Sequence, residues 1–240
     1  MPELGGAAWR SEEVGRLLGF ARASVLPGRG FGWLDDHGQP EPDRPVHTWI
    51  TARMTHVFAL AHRLGDPDAQ ALVAHGVSAL LGPLQDREHG GWWSAVDGLG
   101  PVSPSKKAYD HAFVLLAASS ALAVEAEGSA ELFGLACDAF DRYFWDEEAG
   151  KVVESWDGSW TVLDPYRGAN SNMHATEALL AAHAATGDPV PARRAARVLS
   201  WFTGQAREHS WRMPEHFDSA WNPVLAVSYT HLTLPTILRV

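Results

Sequence analysis

Asn170, His174 and Glu177 place an amide, an imidazole and a carboxylate at i, i+4 and i+7 in the otherwise Ala- and Leu-rich start of a helical run. At 3.6 residues per turn the three share one helix face, where packing alone would call for apolar side chains, so the stripe marks a candidate site. A second reading needs no chemistry: Asn170 or Asn172 caps the helix that follows, and the histidine is a satisfied core partner. Zinc chemistry of the metalloprotease kind requires His-Glu-x-x-His, and this segment offers one His and one Glu. Two further segments carry comparable groups. Trp49 and Arg53 stand one turn apart, so a ring-stacking surface and a guanidinium share a face, although a surface arginine on a packed helix has the same spacing. Tyr109, Asp110 and His111 open another apolar run, where Asp110 reads as a first-turn carboxylate and His111 as a core histidine in preference to a catalytic one.

These groups need helices to hold them, and helical periodicity dominates the chain. Apolar residues recur at three- and four-residue intervals over Ser11 to Ser24, Trp49 to Leu64, Pro67 to Leu81, Lys107 to Ala126, Ser129 to Tyr143, Met173 to Thr186 and Ala192 to Gln205. Gly65, Gly128 and Gly187 each follow an Ala-rich helix and precede a second one, twice in the form Gly-Asp-Pro, which sets a period of roughly 60 residues. Turn-rich segments with strand-like pieces lie between the pairs, such as Lys151 to Glu154 and Trp160 to Leu163 around Asp157-Gly158. Each unit is therefore helix, turn, helix and aromatic-bearing hairpin. No unit buries its apolar face alone, and three of them form an arc and not a closed ring. Of the 11 tryptophans, Trp92, Trp93, Trp156, Trp160, Trp211 and Trp221 fall in the connections, while Trp201 lies within a helix. Indoles in loops either plug a core or stack on the C–H face of a sugar, and the sequence leaves both readings open.

With 240 residues, 46% of them hydrophobic, the chain is long enough for one sizeable domain with a real core. A net charge of -10 and the lack of any Lys/Arg-rich run argue against nucleic acid and against an anionic membrane surface. The first residues lack a basic stretch followed by an apolar one, and no window has the length to cross a bilayer, so a cytoplasmic protein is expected. Cys137 is the lone cysteine; it rules out an intrachain disulfide, fits a reducing compartment and ends the apolar run from Leu132, as a core residue would.

Taken in order, four segments resemble the N-acylglucosamine 2-epimerase superfamily, and within it the branch of mannose isomerase and sulfoquinovose isomerase. They are Trp49-Ile50-Thr51-Ala52-Arg53, Tyr109-Asp110-His111-Ala112-Phe113, Arg167-Gly168-Ala169-Asn170-Ser171-Asn172-Met173-His174 and Met213-Pro214-Glu215-His216-Phe217. The likeness runs over nearly all of residues 1–226. It implies an all-α fold, an (α/α)6 toroid of about twelve helices, present here as an incomplete toroid with about half of the helices and short hairpins between helix pairs. It also implies interconversion of aldose and ketose, mannose to fructose in type, or epimerisation at C2, with no metal or other cofactor. The ring opens, the C2 proton leaves to give a cis-enediol, and a proton returns at C1. Histidine suits that work, since an unperturbed pKa of about 6.5 lets it take and give a proton near neutrality.

Carried over position by position, His174 matches a pocket histidine that takes part in proton transfer or ring opening. Asn170 matches a hydrogen-bonding partner of the sugar hydroxyls, and Arg53 an arginine near O1 and O2, where positive charge stabilises a developing enediolate. Trp49 and Tyr109 match pocket walls, and Glu215, with His216 in the same motif, lines the pocket. The implied partner is a small monosaccharide, and the oligomeric state stays open.

The chain also departs from the family pattern. A Pro-Gly-His-x-x-Glu-Trp motif and a further C-terminal histidine, which family isomerases carry, are absent, and Pro214-Glu215-His216 belongs to an earlier element. The paired acid/base that shuttles the proton is thus missing, and the 240-residue chain is expected to be inactive as an isomerase. Residues 227–240 break the composition and resemble the translation of a sequencing adapter read through in frame; they are expected to be a non-native tail after a domain spanning 1–226, with an authentic short strand as the alternative. Two other functions compete. A glycoside hydrolase on the same toroid needs two carboxylates about 5 to 10 Å apart, for which Asp157, Asp164 and Glu177 are available. A non-catalytic helical module would instead bind a carbohydrate or a protein.

Overall fold

Seven helices form on the seven segments of apolar periodicity. A computed structural model describes residues 5–224, with α1 (Ala7–Arg22), α2 (Thr48–Arg63), α3 (Ala69–Leu80), α4 (Ala108–Leu122), α5 (Ser129–Ala139), α6 (Ala169–Thr186) and α7 (Pro189–Glu208), joined by strands of two or three residues. The expected tail, 227–240, lies outside the described residues. No helix among the described residues is long and apolar enough to cross a membrane.

Local chemistry sets the boundaries. Gly65, Gly128 and Gly187 take positive φ of 95°, 75° and 74°, which only glycine adopts without strain, and each turns the chain from one helix of a pair into the next. Asp188 caps α7 by accepting the Val190 N–H, and Pro189 occupies the first turn. Pro67 stays outside α3, because Asp66 closes a turn there by accepting the Asp68 N–H. The last turn after α5 widens into a π-helix, Phe140–Phe144. Neither Asn170 nor Asn172 caps α6: Gly168 holds the N-cap position, no side chain bonds there, and both asparagines lie inside the helix. Lys151–Val152 pairs with Trp145–Asp146, and Ser155–Trp156 with Lys106–Lys107. The hairpin expected around Asp157-Gly158 therefore reduces to a single Trp156–Leu163 bridge.

The pairs form two layers. α2, α4 and α6 pack side by side, and α3, α5 and α7 each back one of them. The middle helix α4 is buried along nearly its whole length, from Asp110 to Ser119 without interruption. Its Ala-rich, apolar surface on every side suits a helix enclosed by neighbours.

A set of hydrogen bonds repeated about every 60 residues fixes the level of the three inner helices. The first N–H of each, at Thr48, Ala108 and Ala169, donates to the carbonyl of Ser94, Glu154 and Glu215, at 3.0, 2.8 and 2.9 Å. The fourth residue of each accepts a backbone N–H from the preceding connection: Thr51 Oγ1 from Phe31 (3.1 Å), His111 Nε2 from Trp92 (3.1 Å) and Asn172 Oδ1 from Val152 (2.9 Å). A connection thus grips two inner helices at once, as Trp92 and Ser94 do for α4 and α2. Side chains add a second tie. Ser94 Oγ donates to Asp110 Oδ2 at 2.5 Å and Ser171 Oγ to Glu154 Oε1 at 2.6 Å, so hydroxyl and carboxylate exchange places between repeats. Asp35, Asp97, Asp157 and Asp218 each close a hairpin tip by accepting N–H groups of their own turn.

Candidate active site

Because the inner helices start at one level, residues about 60 apart in sequence meet in space. The second residue of each is Trp49, Tyr109 and Asn170; one turn later come Arg53, Phe113 and His174. Trp49 and Tyr109 lie edge to face with centroids 6.4 Å apart. The His174 imidazole stands at 88° to Tyr109, 5.2 Å away, and 4.5 Å from Phe113. From α2, the Arg53 guanidinium covers Phe113 at 4.4 Å and lies 5.6 Å from the Trp49 ring. Aromatic rings so arranged, with a guanidinium and an imidazole among them, offer apolar faces for C–H groups and polar groups for hydroxyls.

The electrostatics favour a neutral imidazole. Burial holds the His174 pKa below its ordinary value, since the charged ring would lose water; Glu177 pulls it up by a hydrogen bond and by charge, and Arg53 pushes it down. His174 Nδ1 lies 3.2 Å from Glu177 Oε2. Burial raises the Tyr109 phenol above its usual range and so keeps it protonated. Deeper on the same face, His56 Nδ1 meets Ser120 Oγ at 2.7 Å, and burial lowers its pKa too.

Trp49, Arg53, Tyr109 and His174 come together on the inner face. Asn170 is exposed at the position of α6 that Trp49 and Tyr109 occupy in their helices. Glu215 lies beside it, its carbonyl on the Ala169 N–H. The adjoining His216 accepts or donates at Nδ1 with the Tyr166 hydroxyl, 2.7 Å away. Phe113, quoted in the sequence only as part of a motif, is the ring on which Arg53 and His174 both rest. An apolar residue in the middle of an apolar helix carries no signal of that role; alignment of the repeats, which sets it level with Arg53 and His174, does.

Other candidates resolve into structure. His111 is fully buried among Trp92, Phe144 and Trp160, its pKa lowered to about 3 by desolvation, and it donates from Nδ1 to the Lys107 carbonyl while Nε2 accepts from Trp92. Asp110 is buried against Ser94, and desolvation raises it to about 6. Of the carboxylates considered for glycoside hydrolysis, Asp157 is bound to Thr161 and Val162 in its own turn and lowered to about 2, chiefly by Thr161. Asp164 accepts from Ser155 and Tyr166, and Glu177 faces His174. The Cys137 thiol is pushed up to about 11 by burial, which leaves it unsuited to be a nucleophile. Most loop indoles are plugs: Trp92 is buried and donates to the Leu80 carbonyl, and Trp160 stacks on Tyr143 at 3.8 Å.

Paired helices in an arc, with an aromatic wall bearing Arg53 and His174 on the inner face, make an incomplete (α/α)6-type arrangement. The chain belongs to the N-acylglucosamine 2-epimerase (GlcNAc 2-epimerase) family, whose profile matches residues 30–238. It is 52% identical over 219 residues to a D-mannose isomerase of Thermobifida fusca, covering 90% of this chain and 54% of that relative. The chain spans about half the length of the curated relatives it matches. Solved structures that share its fold include two sugar-converting enzymes. A D-mannose isomerase superposes with a TM-score of 0.86 at 24% identity, over 97% of this chain and 61% of the other. The cellobiose 2-epimerase of Spirochaeta thermophila does so with a TM-score of 0.78 at 20% identity, over 88% and 57%.

Proposed function

We propose that the chain carries the sugar-binding wall of a cofactor-independent aldose–ketose isomerase, mannose to fructose in type. The His174 imidazole packed on Tyr109 and Phe113, with Arg53 across the same Phe113 ring, is the observation that carries this reading. The 52% identity to a D-mannose isomerase supports the choice of sugar. In this scheme the open-chain sugar lays its C–H face on Trp49 and Tyr109, and Asn170 and Glu215 bind hydroxyls. Neutral His174 takes the proton from C2. The electron pair of that C–H bond forms the C1–C2 double bond, and the carbonyl pair moves onto O1, where Arg53 stabilises the charge. The C1–C2 double-bond pair takes a proton at C1 while the O2 proton passes to O1 and the C2–O2 double bond forms, which gives the ketose; return at C2 from the opposite face would give the epimer. In this scheme a second acid/base shares the reprotonation, and we assign that role to the Pro-Gly-His-x-x-Glu-Trp motif of family isomerases, which this sequence lacks. We therefore expect no turnover by the 240-residue chain alone. The single cysteine supports a cytoplasmic location.

The test is a chimera in which residues 1–226 replace the matched half of the Thermobifida fusca D-mannose isomerase. NMR of the products from D-mannose, N-acetylglucosamine and cellobiose should show fructose from mannose and no epimer from the other two. A folded chimera that epimerises either of those and leaves mannose untouched would contradict the reading.

A further inference from the structure

We propose that Glu177 is a positioning residue for His174: it holds the imidazole in the Nδ1–H tautomer and leaves the Nε2 lone pair as the proton acceptor. The inference rests on His174 as the proton-transfer residue of the proposed reaction, although its test needs no turnover.

Three residues fix the imidazole, and they act differently. Tyr109 and Phe113, both from α4, set the plane of the ring, one edge-on at 88° and the other tilted at 45°. Aromatic faces do not tell one ring nitrogen from the other. Glu177 does, because its Oε2 lies 3.2 Å from Nδ1, and among the described residues Nε2 has no protein hydrogen bond. An ionised carboxylate only accepts, so the hydrogen must sit on Nδ1. The i, i+3 spacing lets one helix carry both groups on a common face, independent of neighbouring helices.

Burial separates this pair from an ordinary surface contact. The His174 side chain is 11% exposed while that of Glu177 is 50% exposed, so a hydrated carboxylate stands beside a largely desolvated ring. The other charged or titratable groups near this pair are known. From α2, Arg53 opposes protonation of His174, and His56, bonded to Ser120, is lowered by burial with Glu177 opposing; from α4, the Tyr109 phenol is held neutral by burial. Only Glu177 both favours the charged ring and selects its nitrogen.

Long-range proton–nitrogen NMR spectra of the ¹⁵N-labelled chain test this, with H174Q used to assign His174 among the 12 histidines. In the native chain, neutral His174 should carry its proton on Nδ1. E177A should mix in the Nε2–H form and lower the titration midpoint of His174. E177Q should also lower the midpoint, having lost the charge, while its amide oxygen keeps Nδ1–H. Alanine is a strong helix former and position 177 is half exposed, so E177A should retain the helix; if it does not fold, the E177Q midpoint decides. A native Nε2–H tautomer, or variants with unchanged tautomer and midpoint, would overturn the proposal. A chimera without isomerase activity would count against the proposed function alone.

Discussion

His174 is held between opposite charges on one wall. Burial and Arg53 lower its pKa, and Glu177 raises it. Removing Arg53 should therefore act opposite to removing Glu177. R53M keeps an apolar chain over Phe113, takes away the cation, and should raise the His174 midpoint in an NMR titration; an unchanged or lower midpoint would mean that the guanidinium does not reach the ring. At this scale the sequence was informative where one helix sufficed. The Trp49/Arg53 and Asn170/His174/Glu177 spacings follow from the helical period, and the structure keeps each set on one face. It was silent about Phe113, since the contact of Arg53 and His174 across that ring joins three helices.

Each inner helix is positioned by its fourth residue, and three side-chain types do the same task there: Thr51, His111 and Asn172 each accept one backbone N–H. The histidine alone makes that tie sensitive to pH. His111 is neutral in the fold, with a pKa of about 3 against an ordinary 6.5. An unfolded chain would bind a proton there first, so the stability it contributes is present above about pH 6.5 and is lost as pH falls toward 3. Asp110 acts in the other sense: raised to about 6, it favours the fold below its ordinary 3.8 and loses that contribution as pH rises through 6. H111N should keep the acceptor that Asn172 supplies in the next repeat, at the expense of some ring packing. Urea unfolding from pH 7 to 4 should show the native chain losing stability relative to H111N; parallel curves would refute the assignment. The helices themselves were legible from apolar spacing, and the capping of α6 was misread. Asn172 has the residue type of a cap, but its amide is fully engaged with Val152 and Gly168 across the connection, a non-local pairing that no local pattern reveals.

Three repeats of about 60 residues, visible in the placing of Gly65, Gly128 and Gly187, stack into the arc that the sequence suggests. The pairing of the short strands was not legible, because Ser155–Trp156 finds its partner at Lys106–Lys107, a whole helix pair away. α4, enclosed on both sides, is buried along nearly its whole length, while α2 leaves Leu60 and α6 leaves Met173 and Leu180 between 42 and 47% exposed. The wall thus forms within this chain, whereas the curated relatives it matches are about twice as long. Joining the chain to the rest of such a relative asks whether the wall works. The most direct measurement is the rate of mannose-to-fructose conversion by that chimera with His174 intact and as H174Q. An acid/base group is worth on the order of 10² to 10⁴ in rate, so H174Q should lose about that much while its circular dichroism is unchanged. An H174Q chimera that converts mannose at the unsubstituted rate would contradict the account.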